Sequence, residues 1–131
     1  MADFKDLLQS ADWKAEKHVP VIEGPDRVIK GEAVKLDLSV GKQIAHPNTT
    51  EHHIQYIEAY FLASGEKFPY QLGRFEFNTH GESVQGPNTS TVFSEPKITA
   101  FFKTEKSGVI TAIAYCNIHG LWKSEKEIKV E

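Results

Sequence analysis

The chain has 131 residues, of which 40% are hydrophobic and 25% are charged. This length and composition are typical of one globular domain with its own core, so we expect a single domain spanning residues 1–131. Fifteen Lys and Arg face 18 Asp and Glu, giving a formal net charge of −3 with both signs interspersed. Without a basic patch or a basic amphipathic helix, a nucleic-acid or membrane partner is not indicated.

The beginning of the chain argues for the cytoplasm. Residues 1–6 carry acids where a signal peptide requires a basic flank and an apolar stretch. The longest apolar runs are too short to cross a bilayer. The chain also has one cysteine, Cys116, and therefore no internal disulfide, which is consistent with a reducing compartment.

The N-terminal segment predicts a short helix. Asp3 is a suitable N-cap, Phe4, Leu7 and Leu8 would share one face, and the pattern ends near Ser10. After this segment the helical spacing is lost.

The rest of the chain has the pattern of strands. Val34–Val40 alternates apolar with polar side chains, as in a strand with one wet face, and residues 54–62 are apolar on both sides. Later strands are predicted at residues 74–77, 97–104, 108–115 and 121–130. Residues 105–108 indicate a hairpin turn between two of them. Short strands separated by frequent turns predict an all-β fold, either an antiparallel sandwich or a small barrel.

The motif near the C-terminus indicates a metal site. Cys116 and His119 form a Cys-x-x-His pair where a predicted strand ends, Gly120 permits a tight turn, and Trp122 is placed to shield the site from water. Thiolate selects soft or borderline metals, while imidazole suits iron, copper, nickel and zinc. A buried structural cysteine is the simpler explanation of this pair taken alone.

Further histidines occur in turns. Pro47 restricts His46 to an extended conformation, which aims its ring in advance. His52 and His53 are adjacent and should point apart, so that one of them at most faces the same ion. His80 precedes a glycine in a polar segment and is expected at the surface.

A third motif combines a carboxylate, an ammonium and an imidazole. In an extended segment, Glu16 and His18 point to one side and Lys17 to the other. A solvated charge cluster would explain these three residues equally well, so their significance depends on the other motifs.

Taken together, the motifs resemble those of superoxide reductase, and more closely its single-domain form, neelaredoxin. The resemblance is carried by residues 12–20, 46–53, 80–83, 86–90 and 115–122, and it extends from about Ala11 to the C-terminus. The two-domain relatives, desulfoferrodoxins, have an additional four-cysteine iron module at the N-terminus. This chain has only Cys116, and the resemblance is therefore to the single-domain form.

The resemblance implies an immunoglobulin-like antiparallel β-sandwich with one mononuclear non-haem iron. It implies one-electron reduction of superoxide to hydrogen peroxide, return of the iron to the ferrous state by an external donor such as rubredoxin, and a homotetramer. The implied iron ligands are the imidazoles of His18, His46, His52 and His119, the axial thiolate of Cys116, and the carboxylate of Glu16 on ferric iron. Lys17 would guide the substrate, and His53 and His80 match no ligand position.

Three other metal sites are alternatives. A blue-copper carrier is also a β-sandwich with a Cys and His pair, but it usually has an axial methionine after that histidine, and the only methionine here is Met1. A structural zinc site is four-coordinate and usually has two or more cysteines. An iron oxygenase requires two histidines and a carboxylate without thiolate.

Overall fold

The computed structural model describes residues 2–131, which form one short helix and eight strands in two sheets. The elements are α1 Phe4–Leu7, β1 Pro20–Glu23, β2 Arg27–Val28, β3 Val34–Val40, β4 Ile54–Ala63, β5 Tyr70–Glu76, β6 Lys97–Phe102, β7 Gly108–Cys116 and β8 Gly120–Val130. One sheet has the order β1-β3-β6 and the other the order β2-β8-β7-β4-β5. Paired strands are antiparallel except β2 and β8. Within these residues, no helix is long and apolar enough to span a membrane.

The two sheets enclose one apolar core. Along β3 every second side chain is buried, as its alternating sequence predicts. The buried side chains of the core include Val34, Leu36, Leu38 and Val40 from the smaller sheet and Ile57, Ala59, Phe61, Ile110, Ala112 and Ala114 from the larger one. Burial of a large aliphatic side chain contributes about 1.5–3 kcal/mol, so this interior is the main source of stability. The predicted all-β, antiparallel fold is confirmed.

Every predicted strand is present, and two short strands were not predicted. β1 has four residues and β2 has two, too few for the alternation of a strand to be recognised. β1 also begins at Pro20, a position where the missing N–H is tolerated.

The predicted hairpin at residues 105–108 is wrong. β6 pairs with β3 in the smaller sheet, whereas β7 pairs with β4 and β8 in the larger one. The segment therefore crosses from one sheet to the other. Its turn residues indicate that the chain changes direction, but they do not determine which strand becomes the partner.

The N-terminal helix is present but shorter than predicted, and its apolar face is not buried. It ends at Leu7 rather than near Ser10, and Phe4 and Leu7 are 66% and 53% exposed. The chain then leaves the helical path because Gln9 pairs with β8. The Gln9 N–H donates to the Leu121 carbonyl over 2.9 Å, and the Lys123 N–H donates to the Gln9 carbonyl over 2.8 Å.

Strand register brings several of the predicted ligands to one end of the larger sheet. Ile54 is the partner of Cys116 between β4 and β7, and Cys116 is the partner of Gly120 between β7 and β8. His52 lies two residues before Ile54, and His119 lies in the turn that joins β7 to β8. The register therefore places these two histidines beside the cysteine.

Candidate metal centre

Side chains from three separate segments converge at this end of the sandwich. The ligand atoms of His18, His52, Cys116 and His119 all lie within 4.8 Å of one another. His119 Nδ1 is 3.1 Å from His18 Nε2, 3.2 Å from His52 Nε2 and 3.8 Å from Cys116 Sγ. One sulfur and three imidazole nitrogens at such distances form a set that suits a soft or borderline transition metal.

The imidazole of His46 lies next to this group, although it is not one of the four residues whose ligand atoms lie within 4.8 Å of one another. Its ring centroid is 4.9 Å from that of His18 and 4.8 Å from that of His52. His46 Nδ1 donates to the Pro47 carbonyl over 2.7 Å, so in the neutral ring Nε2 carries a lone pair and no proton. Among residues 2–131, His46 Nε2 is the buried side-chain N or O atom without a hydrogen-bond partner. Because such an atom is costly to leave unsatisfied, it fits the role of a metal ligand.

Burial favours the neutral form of two of these imidazoles, His46 and His52. It lowers the pKa of His46 to about 4, because a proton there would be desolvated and repelled by protonated His18 or His52 and by Lys17, against the opposing hydrogen bond to Pro47. Burial also lowers the pKa of His52, with further lowering by His119, His18 and Lys17. Neutral imidazole is the form that binds a metal, so both rings are ready to do so near neutral pH.

The cysteine is held in a fixed environment. Cys116 is fully buried, and the backbone N–H of His119 donates to its sulfur over 3.4 Å. Gly120 has a φ of +79°, which favours glycine and allows the chain to reverse into β8. Trp122 stacks on the His18 ring with centroids 4.9 Å apart and donates from Nε1 to the His119 carbonyl over 3.1 Å. Its indole therefore covers one side of the cluster, whereas His119 is exposed.

Glu16 lies on the outer side of His18. Its Oε1 is 2.5 Å from His18 Nδ1 and accepts the His18 backbone N–H over 2.9 Å. Burial acts to raise the pKa of Glu16, but the hydrogen bonds from His18 outweigh it, and the net shift is downward. The carboxylate therefore holds a proton on Nδ1 and leaves the His18 Nε2 lone pair for the cluster. Glu16 is not itself within the group of ligand atoms.

Lys17 places a positive charge near the cluster. The ammonium is close enough to contribute to the lowered pKa values of His46 and His52. It is thus a positive charge beside the cluster, on the same segment as Glu16 and His18.

The structure corrects the prediction for His80, which is 5% exposed rather than at the surface. Its ring stacks on His53 with centroids 3.5 Å apart and planes 1° from parallel. His80 Nε2 is 2.5 Å from the Phe77 carbonyl, and His53 Nδ1 is 2.9 Å from the Thr49 carbonyl. As predicted, His52 and His53 point apart, since only His52 reaches the cluster. The polar sequence around His80 indicated a loop, but not that this loop folds over the turn before β4.

Sequence reasoning missed the asparagines that hold the loops around the cluster. Asn88, at φ +57°, accepts the Thr50 N–H over 2.9 Å and donates to the Glu51 carboxylate over 2.8 Å. Asn48 donates to the Ser94 carbonyl over 2.8 Å. The available signal was that Asn48 follows Pro47 and Asn88 follows Pro87, in turn sequences where asparagine side chains often bind the backbone.

These features define a class of β proteins with a candidate transition-metal centre made of one cysteine and several histidines. The chain belongs to the desulfoferrodoxin family, whose profile, described as "Desulfoferrodoxin", matches residues 10–125.

Relatives are similar over nearly their whole length. The superoxide reductase of Pyrococcus furiosus is 59% identical over 122 residues, which cover 93% of this chain and 96% of that protein. The neelaredoxin of Megalodesulfovibrio gigas is 48% identical over 126 residues, covering 96% and 97%. The structure of the reduced superoxide reductase (neelaredoxin) of Archaeoglobus fulgidus superposes with a TM-score of 0.87 at 57% identity, covering 94% of this chain and 98% of that one. The resemblance found in the motifs is confirmed.

Proposed function

We propose that this protein is a superoxide reductase, an enzyme that reduces superoxide by one electron to hydrogen peroxide at a mononuclear non-haem iron. Relatives named superoxide reductase, among them proteins 45% and 59% identical to this chain, support the proposal. The observation that carries it is the convergence of His18, His52, Cys116 and His119 beside the unpartnered Nε2 of His46.

The proposed iron ligands are the imidazoles of His18, His46, His52 and His119 and the thiolate of Cys116. These side chains offer donor atoms that suit iron, because imidazole nitrogen binds iron well and a thiolate sulfur is a strong electron donor. Ferrous iron held by four neutral imidazoles and one thiolate would leave a local charge of about +1, which favours a small anion. When bound, the iron supplies the electron that reduces superoxide.

Lys17 would draw superoxide to the site. The protein as a whole has a formal net charge of −3, so attraction of an anion must be local rather than global. The Lys17 ammonium lies close enough to lower the pKa values of His46 and His52, which supports this role. The exposed edge of His119 is the side from which a small anion and water would approach.

Glu16 is proposed as a further ligand in the oxidised protein. In this structure its carboxylate binds the ring and the backbone of His18 instead. To reach the iron it would have to release the Nδ1 contact, so we propose that Glu16 has two positions. In the position seen here it fixes the protonated nitrogen of His18.

Family membership supports the remaining proposals. We propose that residues 1–131 form a single iron-binding domain and that the two sheets form an immunoglobulin-like antiparallel sandwich. A rubredoxin-like protein is the proposed electron donor, and the proposed assembly is a homotetramer. The single cysteine, Cys116, allows no internal disulfide and supports the further proposal of a cytoplasmic location.

The other metal sites explain the arrangement less well. A blue-copper site needs two histidines and one cysteine, which would leave two of the four clustered imidazoles without a role. A closed zinc site has four ligands and usually two or more cysteines, so it would not require four imidazoles. An iron oxygenase site has no thiolate ligand, so Cys116 would be unexplained.

The direct test is the rate at which iron-loaded, reduced protein removes superoxide in an anaerobic stopped-flow experiment. We expect much faster loss than with the metal-free protein, and we expect Cys116→Ser to abolish most of that acceleration. Equal rates with and without iron would contradict the proposed function.

A further inference from the structure

We propose that Asn117 is a positioning residue that fixes His52 relative to Cys116. Asn117 follows Cys116 directly, where β7 ends, and His52 lies in the turn before β4. The inference rests on the proposed metal site, and it adds a residue to it that binds neither metal nor substrate.

The side-chain amide of Asn117 binds the backbone on both sides of His52. Its Oδ1 accepts the N–H of His53 over 2.9 Å, and its Nδ2 donates to the carbonyl of Glu51 over 2.8 Å. The backbone N–H of Asn117 adds a third bond, donating to the His53 carbonyl over 3.2 Å. The residues before and after His52 are therefore both tied to the residue that follows Cys116.

An amide is needed for this arrangement. Asn117 must offer an acceptor and a donor a short distance apart, which asparagine does and aspartate, with two acceptors, does not. A hydroxyl is too small to reach both peptide groups at once. The choice of asparagine at position 117 is thus explained by the two groups that flank His52.

The turn that carries His52 depends on such contacts. Residues 49–53 lie in neither helix nor strand, so no regular ladder of hydrogen bonds fixes them. A loss of either bond from Asn117 would allow the His52 ring to shift relative to the sulfur. Contacts that orient metal ligands typically change metal affinity by about 10- to 100-fold when removed.

Asn88 provides a matched control. It also binds this turn through its side chain, but it contacts the N–H of Thr50 and the carboxylate of Glu51 rather than the peptide groups next to His52. Because Asn88 has a φ of +57°, the control variant is Asn88→Gly, which adopts this conformation without strain.

The test is titration of the metal-free protein with Co²⁺, following the thiolate-to-metal absorption band and competing with a chelator to obtain the dissociation constant. We expect Asn117→Ala to weaken Co²⁺ binding by about 10- to 100-fold and to shift the band, with Asn88→Gly within about threefold of the parent. Asn117→Asp keeps the acceptor for the His53 N–H, so its Co²⁺ affinity should lie between those of Asn117→Ala and Asn88→Gly. This variant replaces Asn117→Ala in the test if the alanine variant does not fold. Unchanged affinity in Asn117→Ala or Asn117→Asp would overturn the proposal.

A double-mutant cycle separates positioning of His52 from a general structural effect. In a His52→Ala background, where there is no imidazole to position, we expect Asn117→Ala to change Co²⁺ affinity by less than about twofold. If Asn117→Ala reduced Co²⁺ affinity equally in both backgrounds, the positioning role would be overturned, while the proposed metal site would not be affected. If His52→Ala bound Co²⁺ as tightly as the parent, the proposed metal site would fail, and the positioning role with it.

Discussion

Ile54 and Cys116 are direct partners in the register between β4 and β7. Because both lie at the ends of their strands, the residues just outside the sheet also meet. The turn before Ile54 thereby places His52 within 4.8 Å of the sulfur and of the His119 nitrogen. The candidate metal centre thus lies at the end of a sheet, and regular elements support a set of ligands more precisely than loops do.

Lys17→Ala tests whether this ammonium attracts the substrate. We expect superoxide loss to slow by on the order of tenfold at low ionic strength and to depend less on salt, because a local positive charge accelerates the capture of an anion. Iron content should not change. Lys14→Ala, the same charge change on the same segment, is the control and should remain near the parent rate. An unaltered rate in Lys17→Ala would remove Lys17 from the mechanism.

Cys116→Ser tests the thiolate. We expect the oxidised, iron-loaded variant to lose the visible absorption of a ferric thiolate, and its superoxide loss to drop by at least about a hundredfold. An oxygenase without a sulfur ligand should tolerate the change. Retention of colour and rate by Cys116→Ser would therefore exclude Cys116 as a ligand.

Glu16→Ala tests the proposed ligand role of the carboxylate. We expect the absorption of the oxidised protein to shift while superoxide turnover remains within about threefold of the parent. Glu16→Gln is the matched variant, because its side-chain oxygen can still accept the His18 hydrogen bonds. The same shift in both variants would identify the carboxylate as a ligand, and a spectrum like that of the parent in both would contradict it.

We expect the buried His80 to make the free energy of unfolding depend on pH. Its pKa is lowered first by burial and then by the charge of His53, against the opposing effects of Phe77 and Glu82. The unfolded chain therefore binds this proton more readily, and the free energy of unfolding must rise with pH. The contribution is complete above the ordinary pKa of 6.5 and is lost as pH falls below it.

Urea unfolding checks this pH dependence. The free energy of unfolding is measured for the metal-free parent and for His80→Gln between pH 4.5 and 8, about the range in which histidine titrates. We expect His80→Gln to be destabilised by about 1–3 kcal/mol at neutral pH, because buried partners lose their hydrogen bonds. The variant should also lose less stability than the parent on acidification. If the free energy of unfolding changed with pH in the same way for the two proteins, His80 would not contribute to the pH dependence of stability.

Much of the fold follows from local pattern. The alternation in β3 predicts a half-buried strand because every second side chain must face the core, and this is observed. The crossing between β6 and β7 could not be predicted, since a turn sequence does not specify which strand becomes the partner. β2, with two residues, is too short to give any pattern.

The candidate site was predictable only from its motifs in combination. Cys116 or His46 alone fits an ordinary buried or loop residue, and the ligand set came from the resemblance. The burial of His80 depends on contacts between loops distant in sequence, which no local pattern encodes. The role of Glu16 toward His18 is likewise set by geometry, since their spacing says only that both can face one side.

The most direct test of the proposed function is the product stoichiometry when ferrous protein, kept anaerobic with reductant supplied, consumes a known amount of superoxide. The proposed function predicts one hydrogen peroxide for each superoxide and no dioxygen. About half as much peroxide together with dioxygen, the balance of dismutation, would contradict it, as would no acceleration of superoxide loss.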